Sequence, residues 1–279
     1  MTTGTPPPSP SRRGRFGGRG LPPLRYTGRW HNQPPVWLEG RAALEYLRLV
    51  RHPVFTGAGV QPGGGRPVLL IPGFMAGDSS LSVMRSWLLR FGYRVELPGL
   101  VFNVRYSELV ARKITVRLLK LNGWLGRRVT IVGHSRGGLL AKVVADRHPS
   151  AVERVITLGS PLGDPYDIHP ITMAGVRLAH ALNMLRYAHG ASVEQSFLRE
   201  LEAPPRVPLT SIYSRSDGIV HWQACLRPEA ECLEVDGSHV GLGVNLQVYR
   251  LLARLLAYPN GAATEEGGSR PSGPTAAEN

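Results

Sequence analysis

The chain has 279 residues, 42% of them hydrophobic, and a net charge of +13. That length suits one large domain or two small ones, and α/β folds often use it as a single domain. No run of 18 apolar residues occurs, which excludes a transmembrane helix. Arginine carries almost all the positive charge, since the only lysines are Lys113, Lys120 and Lys142. Such a bias fits a GC-rich genome, and the charge itself bears on solubility and non-specific attraction for anions rather than on fold. Two cysteines, Cys225 and Cys232, are too few for a disulfide framework, and two reduced thiols are expected. Ser11-Arg12-Arg13 is followed by no apolar stretch, so no secretory or twin-arginine signal is read there and a cytoplasmic location is expected.

In chain order, residues 1–30 are rich in Pro, Gly and Arg and read as a disordered tail. Its piece RGRFGGRG resembles segments that bind nucleic acid weakly. A solvated tail is the simpler reading, with at most a weak contact to anionic surfaces and no specific nucleic acid expected. The folded domain is expected over 31–258, and 259–279 read as a second disordered tail. Leu38–Val50 has helical spacing, and His52–Pro67 reads as a Pro/Gly loop. Val68–Ile71 is a short apolar run that predicts a buried strand. Ser79–Arg90 predicts an amphipathic helix started by serine caps. Then follow a strand at Tyr93–Leu97, a helix at Ser107–Leu121, a buried strand at Val129–Val132 and a helix at Gly137–Arg147. A third buried strand is expected at Arg154–Leu158, and an apolar helix at Ile171–His189. Leu209–Tyr213 and Glu231–Val235 read as strands, and Asn245–Ala257 as a closing amphipathic helix. Uninterrupted Val/Ile/Leu strands alternating with helices predict a parallel sheet covered on both faces.

Between the strand at 129–132 and the helix after it lies Gly133-His134-Ser135-Arg136-Gly137, a G-x-S-x-G turn. A serine at such a strand-to-helix turn is held in a strained conformation with its hydroxyl at the carboxyl end of the sheet. The amide of Arg136, at the helix start, faces any oxyanion that forms on a substrate. Serine needs a base, and the base an orienting acid, in the chain order Ser, Asp, His for this arrangement. Asp217 follows the strand at 209–213, and His239 follows the strand at 231–235. Asp164, Asp167 and Asp236 compete for the acid role. His221 lies too close in sequence to Asp217 to be the base. His134 is expected to point into packing, and the remaining histidines to sit at surface or packing positions. The loop after the first core strand, Ile71-Pro72-Gly73-Phe74-Met75, offers the Phe74 amide as second oxyanion donor. Its Phe74 ring and Met75 are candidates for the acyl side of a pocket.

With IPGF after the first strand, GHSRGG at the turn, LGSP after the third, SRSDGIV at the acid and DGSHVGL at the base, the chain resembles α/β-hydrolases of the lipase/esterase kind over roughly Arg66–Ala257. The resemblance implies an α/β-hydrolase fold with about six parallel strands, because residues 31–66 offer no pair of leading antiparallel strands. It places the elbow strand beside the oxyanion strand, where strand order reverses, and a helical cap over about 163–205. It implies a serine hydrolase acting on a small acyl ester, a lipid among the candidates, with no metal or organic cofactor. Arg136 stands where similar enzymes carry an apolar residue or glutamine. Two other readings stay open: acyl transfer by the same three residues, and a non-catalytic binding protein on this fold.

Overall fold

The computed structural model describes residues 34–187 and 190–257. The two tail readings, 1–30 and 259–279, lie outside the described residues. Six strands form one parallel sheet: β1 (Pro67–Ile71), β2 (Arg94–Glu96), β3 (Val129–His134), β4 (Val152–Leu158), β5 (Leu209–Ser214) and β6 (Glu231–Val235). Their spatial order is β2-β1-β3-β4-β5-β6 with every pairing parallel. The chain runs outward from β1 to β2, then returns to lay β3 on the other side of β1. The reversal falls between β1 and β3, as expected, and leaves a crevice at their carboxyl ends.

Eight α-helices accompany the strands among the described residues: α1 (Ala42–Arg51), α2 (Pro53–Thr56), α3 (Ser82–Arg90), α4 (Ser107–Leu125), α5 (Arg136–Arg147), α6 (Pro170–Arg186), α7 (Gly190–Glu202) and α8 (Leu246–Ala257). Strand side chains alternate between faces. Leu69, Ile71, Val129 and Ile131 join Ile114 and Leu118 of α4, Leu140 and Val144 of α5, and Phe197 and Leu201 of α7 in one core layer. Val68, Leu70 and Val132 join Leu49 of α1, Met84, Trp87 and Leu88 of α3, and Leu252 of α8 in the other. The two helical layers account for strands that are apolar on both faces.

Local chemistry sets several boundaries. α4 ends where Gly126 turns left-handed and its amide bonds back to Asn122, four residues past the predicted end. Proline opens α2 and α6, and in each case the preceding histidine, His52 or His169, accepts a hydrogen bond from the backbone two residues on. The expected serine cap of α3 is replaced by a 3-10 turn, Asp78–Leu81, in which the Ser80 hydroxyl donates to the Gly77 carbonyl. The Pro/Gly loop at 52–67 contains the short α2, and α7 was not predicted at all. Cys225 and Cys232 are free thiols. No helix among the described residues is long and apolar enough to cross a membrane.

Candidate active site

β3 passes into α5 through Ser135, whose backbone sits at φ 54°, ψ −126°. A non-glycine residue rarely adopts this conformation, and it persists only where the surroundings enforce it. Here the Ser135 amide donates to the Leu158 carbonyl at the end of β4 (2.8 Å), and the Ser135 carbonyl accepts from Gly138 (2.9 Å). The turn is tight because strand and helix nearly touch. A Cβ on Gly133 would lie 2.5 Å from the Gly137 carbonyl oxygen, and one on Gly137 would lie 2.2 Å from that of Ile71. The glycines flanking the serine are thus required by contact between backbones.

The structure brings Asp217 and His239 together at the ends of β5 and β6. His239 Nδ1 lies 2.6 Å from Asp217 Oδ2, and both residues are buried. The other carboxylate oxygen, Oδ1, accepts from the amides of Ile219 (2.8 Å) and Val220 (2.7 Å), which fixes the direction of the acid. Burial on its own would lower the His239 pKa, but the charge and hydrogen bond of Asp217, with a further contribution from Glu39, carry it above the ordinary histidine value. The ring is thereby disposed to accept a proton and to hold it on Nε2.

The competing acids are committed elsewhere. Asp236 is exposed and bonds Arg41 (3.1 Å) and Ser216 (2.7 Å). Asp167 pairs with His221 at 3.0 Å, a second buried His–Asp contact that joins the start of the 163–205 segment to the acid loop. Asp164 accepts from the Tyr166 amide. His134 departs from the expectation of simple packing. Its Nε2 donates to the backbone carbonyl of His239 at 2.9 Å, and the two rings lie 4.9 Å apart. Burial, then the neighbouring His239, lowers its pKa to about 4, so it is neutral at ordinary pH.

A crevice of about 120 Å³ opens beside Ser135, lined by Phe74, Tyr106, Arg136, Leu139, Tyr166 and Val176 among others. Its far wall is formed by α6 and α7. Met75, an expected pocket residue, is not among the lining residues. Its backbone is left-handed, with φ 57°, and its side chain is 60% exposed. His180, expected at a surface or packing position, lines the crevice instead and meets Tyr106 edge-on.

Arg136 reaches along this wall. Its guanidinium donates to Asn103 Oδ1 (2.5 Å), to the carbonyls of Asn103 (3.0 Å) and Arg105 (2.5 Å), and to Ser107 Oγ (3.1 Å). Glu194 of α7 accepts in turn from the Ser107 amide (2.8 Å) and hydroxyl (2.5 Å). Asn103 is fully buried and also donates through Nδ2 to the Pro72 carbonyl at 2.9 Å, so it braces the loop that carries Phe74. Nothing in the local sequence around Asn103 signals this role; its partners lie more than 25 positions away.

The family model described as "PGAP1-like alpha/beta domain" matches residues 103–187, which span the elbow, α5 and α6. Among solved structures, the mature form of the Bacillus licheniformis lipase BlEst2 is similar at 18% identity, covering 69% of this chain and 92% of that one, with a TM-score of 0.53. The propeptide form of the same lipase gives 18% identity and a TM-score of 0.53, covering 75% of this chain and 53% of that longer one. No curated protein matches the chain in sequence. The all-parallel six-stranded sheet, the strained serine at the end of β3 and these similarities show that the chain has the α/β-hydrolase fold.

Proposed function

We propose that the protein is a serine hydrolase that cleaves carboxylic esters through Ser135, His239 and Asp217. The observation that carries this reading is the buried Asp217–His239 contact of 2.6 Å, in the same site region as a serine held at positive φ on the elbow. In the proposed reaction Ser135 Oγ attacks the ester carbonyl carbon while His239 Nε2 takes its proton. Asp217 holds the ring by Nδ1 and stabilises the imidazolium. The carbonyl oxygen gains negative charge and is met by the amides of Phe74 and Arg136. Collapse of the tetrahedral adduct expels the alcohol, which leaves with the proton from His239. Water, deprotonated by the same ring, then releases the acid and restores Ser135.

The apolar lining of the crevice suits the acyl chain, and similarity to a lipase fold agrees with an ester substrate. Its volume of about 120 Å³ falls below the roughly 300–1,000 Å³ usual for small-molecule sites. Short acyl groups therefore fit the arrangement seen here, whereas long chains require α6 or α7 to yield. Hydrolysis of p-nitrophenyl esters from acetate to palmitate, by wild type and Ser135→Ala, tests the reading. Turnover is expected in the wild type, best with short chains, and is expected to vanish in the variant. Equal rates in the two proteins across the series would overturn it.

A further inference from the structure

Two glutamates from the segment before β1 enter the loops that carry the acid and the base. Glu39 lies in a 3-10 turn, Val36–Arg41, and Glu45 in the first turn of α1. Glu39 Oε1 accepts from the amide of Gly218, next to Asp217 (2.9 Å), and from the amide of His239 itself (3.0 Å). Its Oε2 accepts from the Val240 amide (2.8 Å). Glu45 is buried and accepts from the Ser238 amide (2.8 Å) and hydroxyl (2.9 Å). The glycines of SDGIV and DGSHVG leave room for these carboxylates. A Cβ on Gly218 would come 3.0 Å from Glu39 Oε1, and one on Gly241 would come 2.2 Å from Glu45 Oε2.

We infer that Glu39 is a positioning residue for the reaction proposed above, clamping the Asp217 loop to the His239 loop and setting its own negative charge beside the base. The inference rests on the esterase reading, but the clamp itself is a matter of geometry. One carboxylate oxygen joins the two loops at the residue beside the acid and at the base itself. Charge-assisted hydrogen bonds from backbone amides to a carboxylate are among the stronger kinds. The charge matters as well as the bonds. As His239 takes the proton of Ser135 it becomes a cation, and an anion held beside its own amide stabilises that state more than the ground state. The titratable and charged groups around the ring are Asp217 at Nδ1, Glu39 at the His239 amide, His134 at the His239 carbonyl and Glu45 through Ser238, with Arg41 paired to Glu45 (3.3 Å) and Asp236. Glu39 thus contributes the negative charge nearest to His239 after its partner acid.

The test compares wild type, Glu39→Ala, Glu39→Gln and Ser135→Ala in the full chain. One readout is kcat and KM on a short p-nitrophenyl ester across the mildly acid to neutral range. The other is the NMR titration of His239, which needs no turnover. Glu39→Ala is expected to lower kcat by about 10- to 100-fold with KM little changed, as small displacements of reacting groups do. Glu39→Gln keeps an oxygen for the Gly218 and His239 amides but not the charge. It is expected to recover most of kcat, while the acid limb of kcat/KM and the His239 titration both move to lower pH. A Glu39→Ala variant with wild-type kcat would overturn the inference, and so would a Glu39→Gln variant whose His239 titrates as in the wild type. Failure of the esterase reading shows separately, as turnover that Ser135→Ala does not abolish or as no turnover in any protein. In that event the His239 titration still decides the clamp.

Discussion

His134 adjoins the proposed nucleophile and yet works on the proposed base, which makes its removal informative. Its Nε2 donates to the His239 carbonyl, and burial lowers its pKa from the ordinary 6.5 to about 4. The unfolded chain takes up this proton as pH falls through 6.5, whereas the folded chain does not until about pH 4. Below 6.5 the unfolded state therefore binds more protons, and acidification destabilises the fold. At about 1.4 kcal/mol for each tenfold difference in proton affinity, the loss across this window is about 3 kcal/mol. It is complete once the pH falls below the folded value. His239 works in a different window. Its folded pKa lies above the ordinary value, so its contribution is full below 6.5 and disappears as pH rises through the folded pKa. The perturbation of choice is His134→Gln, whose side-chain amide is able to donate to the same carbonyl but does not titrate. Urea unfolding at pH 7 and at pH 4, extrapolated to water, is expected to show the wild type losing about 3 kcal/mol more than the variant. Carboxylates titrate alike in both proteins and cancel in the difference. Equal losses would refute the reasoning, because they would mean that His134 titrates normally in the folded protein.

Two further outcomes are expected away from the chemistry. Gly137→Ala places a methyl 2.2 Å from the Ile71 carbonyl oxygen, where backbone opposes backbone; it should cost about 3 kcal/mol or more, or prevent folding, and wild-type stability in urea would contradict the close-contact account of the elbow. Lys142 is buried on α5, where its Nζ donates to the carbonyls of Glu200 (2.7 Å) and Ala203 (2.5 Å) at the end of α7 and pairs with Asp146 (3.0 Å). Lys142→Met should cost about 3–5 kcal/mol by removing the cation that meets Asp146 and the end of α7, and hydrogen exchange should rise first in α7; a neutral effect would show that the remaining anchors of α7, Phe197, Leu201 and the ion pair of Glu200 with Arg147, suffice.

The sheet was legible because parallel strands covered on both faces leave a strong sign, a short unbroken run of Val, Ile and Leu. All six strands match within two residues at each end, β2 being shorter by one residue at each end. The elbow was legible because its glycines answer to contacts between adjacent elements, such as Gly137 against the last residue of β1. Asp217 and His239, the proposed acid and base, were readable as candidates from their places after β5 and β6. Glu39 was not, since its bond to Val240 crosses 201 positions of sequence and a lone glutamate near a helix start reads as surface charge. For a related reason the sequence around His134 points only to packing, which its ring does against His239, and gives no sign of its bond to a backbone carbonyl on another loop. α7 carries little sequence signal because Gly190–Glu202 is mostly polar, and among its described side chains two, Phe197 and Leu201, are buried in the core.

Arg136 shows how one departure from a familiar motif shapes the site. A cation beside the proposed nucleophile at first argues against an apolar ester pocket. In the structure, however, its donors are engaged by Asn103, Arg105 and Ser107, and Glu194 meets Ser107 from the α7 side. Burial pulls its pKa down, and the Glu194 charge offsets part of that cost. The guanidinium therefore acts as a strut. It ties the start of α5 to the loop before α4, and through Ser107 to α7, along one wall of the crevice. Asn103 extends the same network to the Pro72 carbonyl, behind the Phe74 amide. The wall proposed to confine the acyl chain and the loop proposed to bind the oxyanion are thus set by one hydrogen-bonded group. A change at Arg136 would reach substrate fit and oxyanion geometry together, which an apolar residue at this position would not couple.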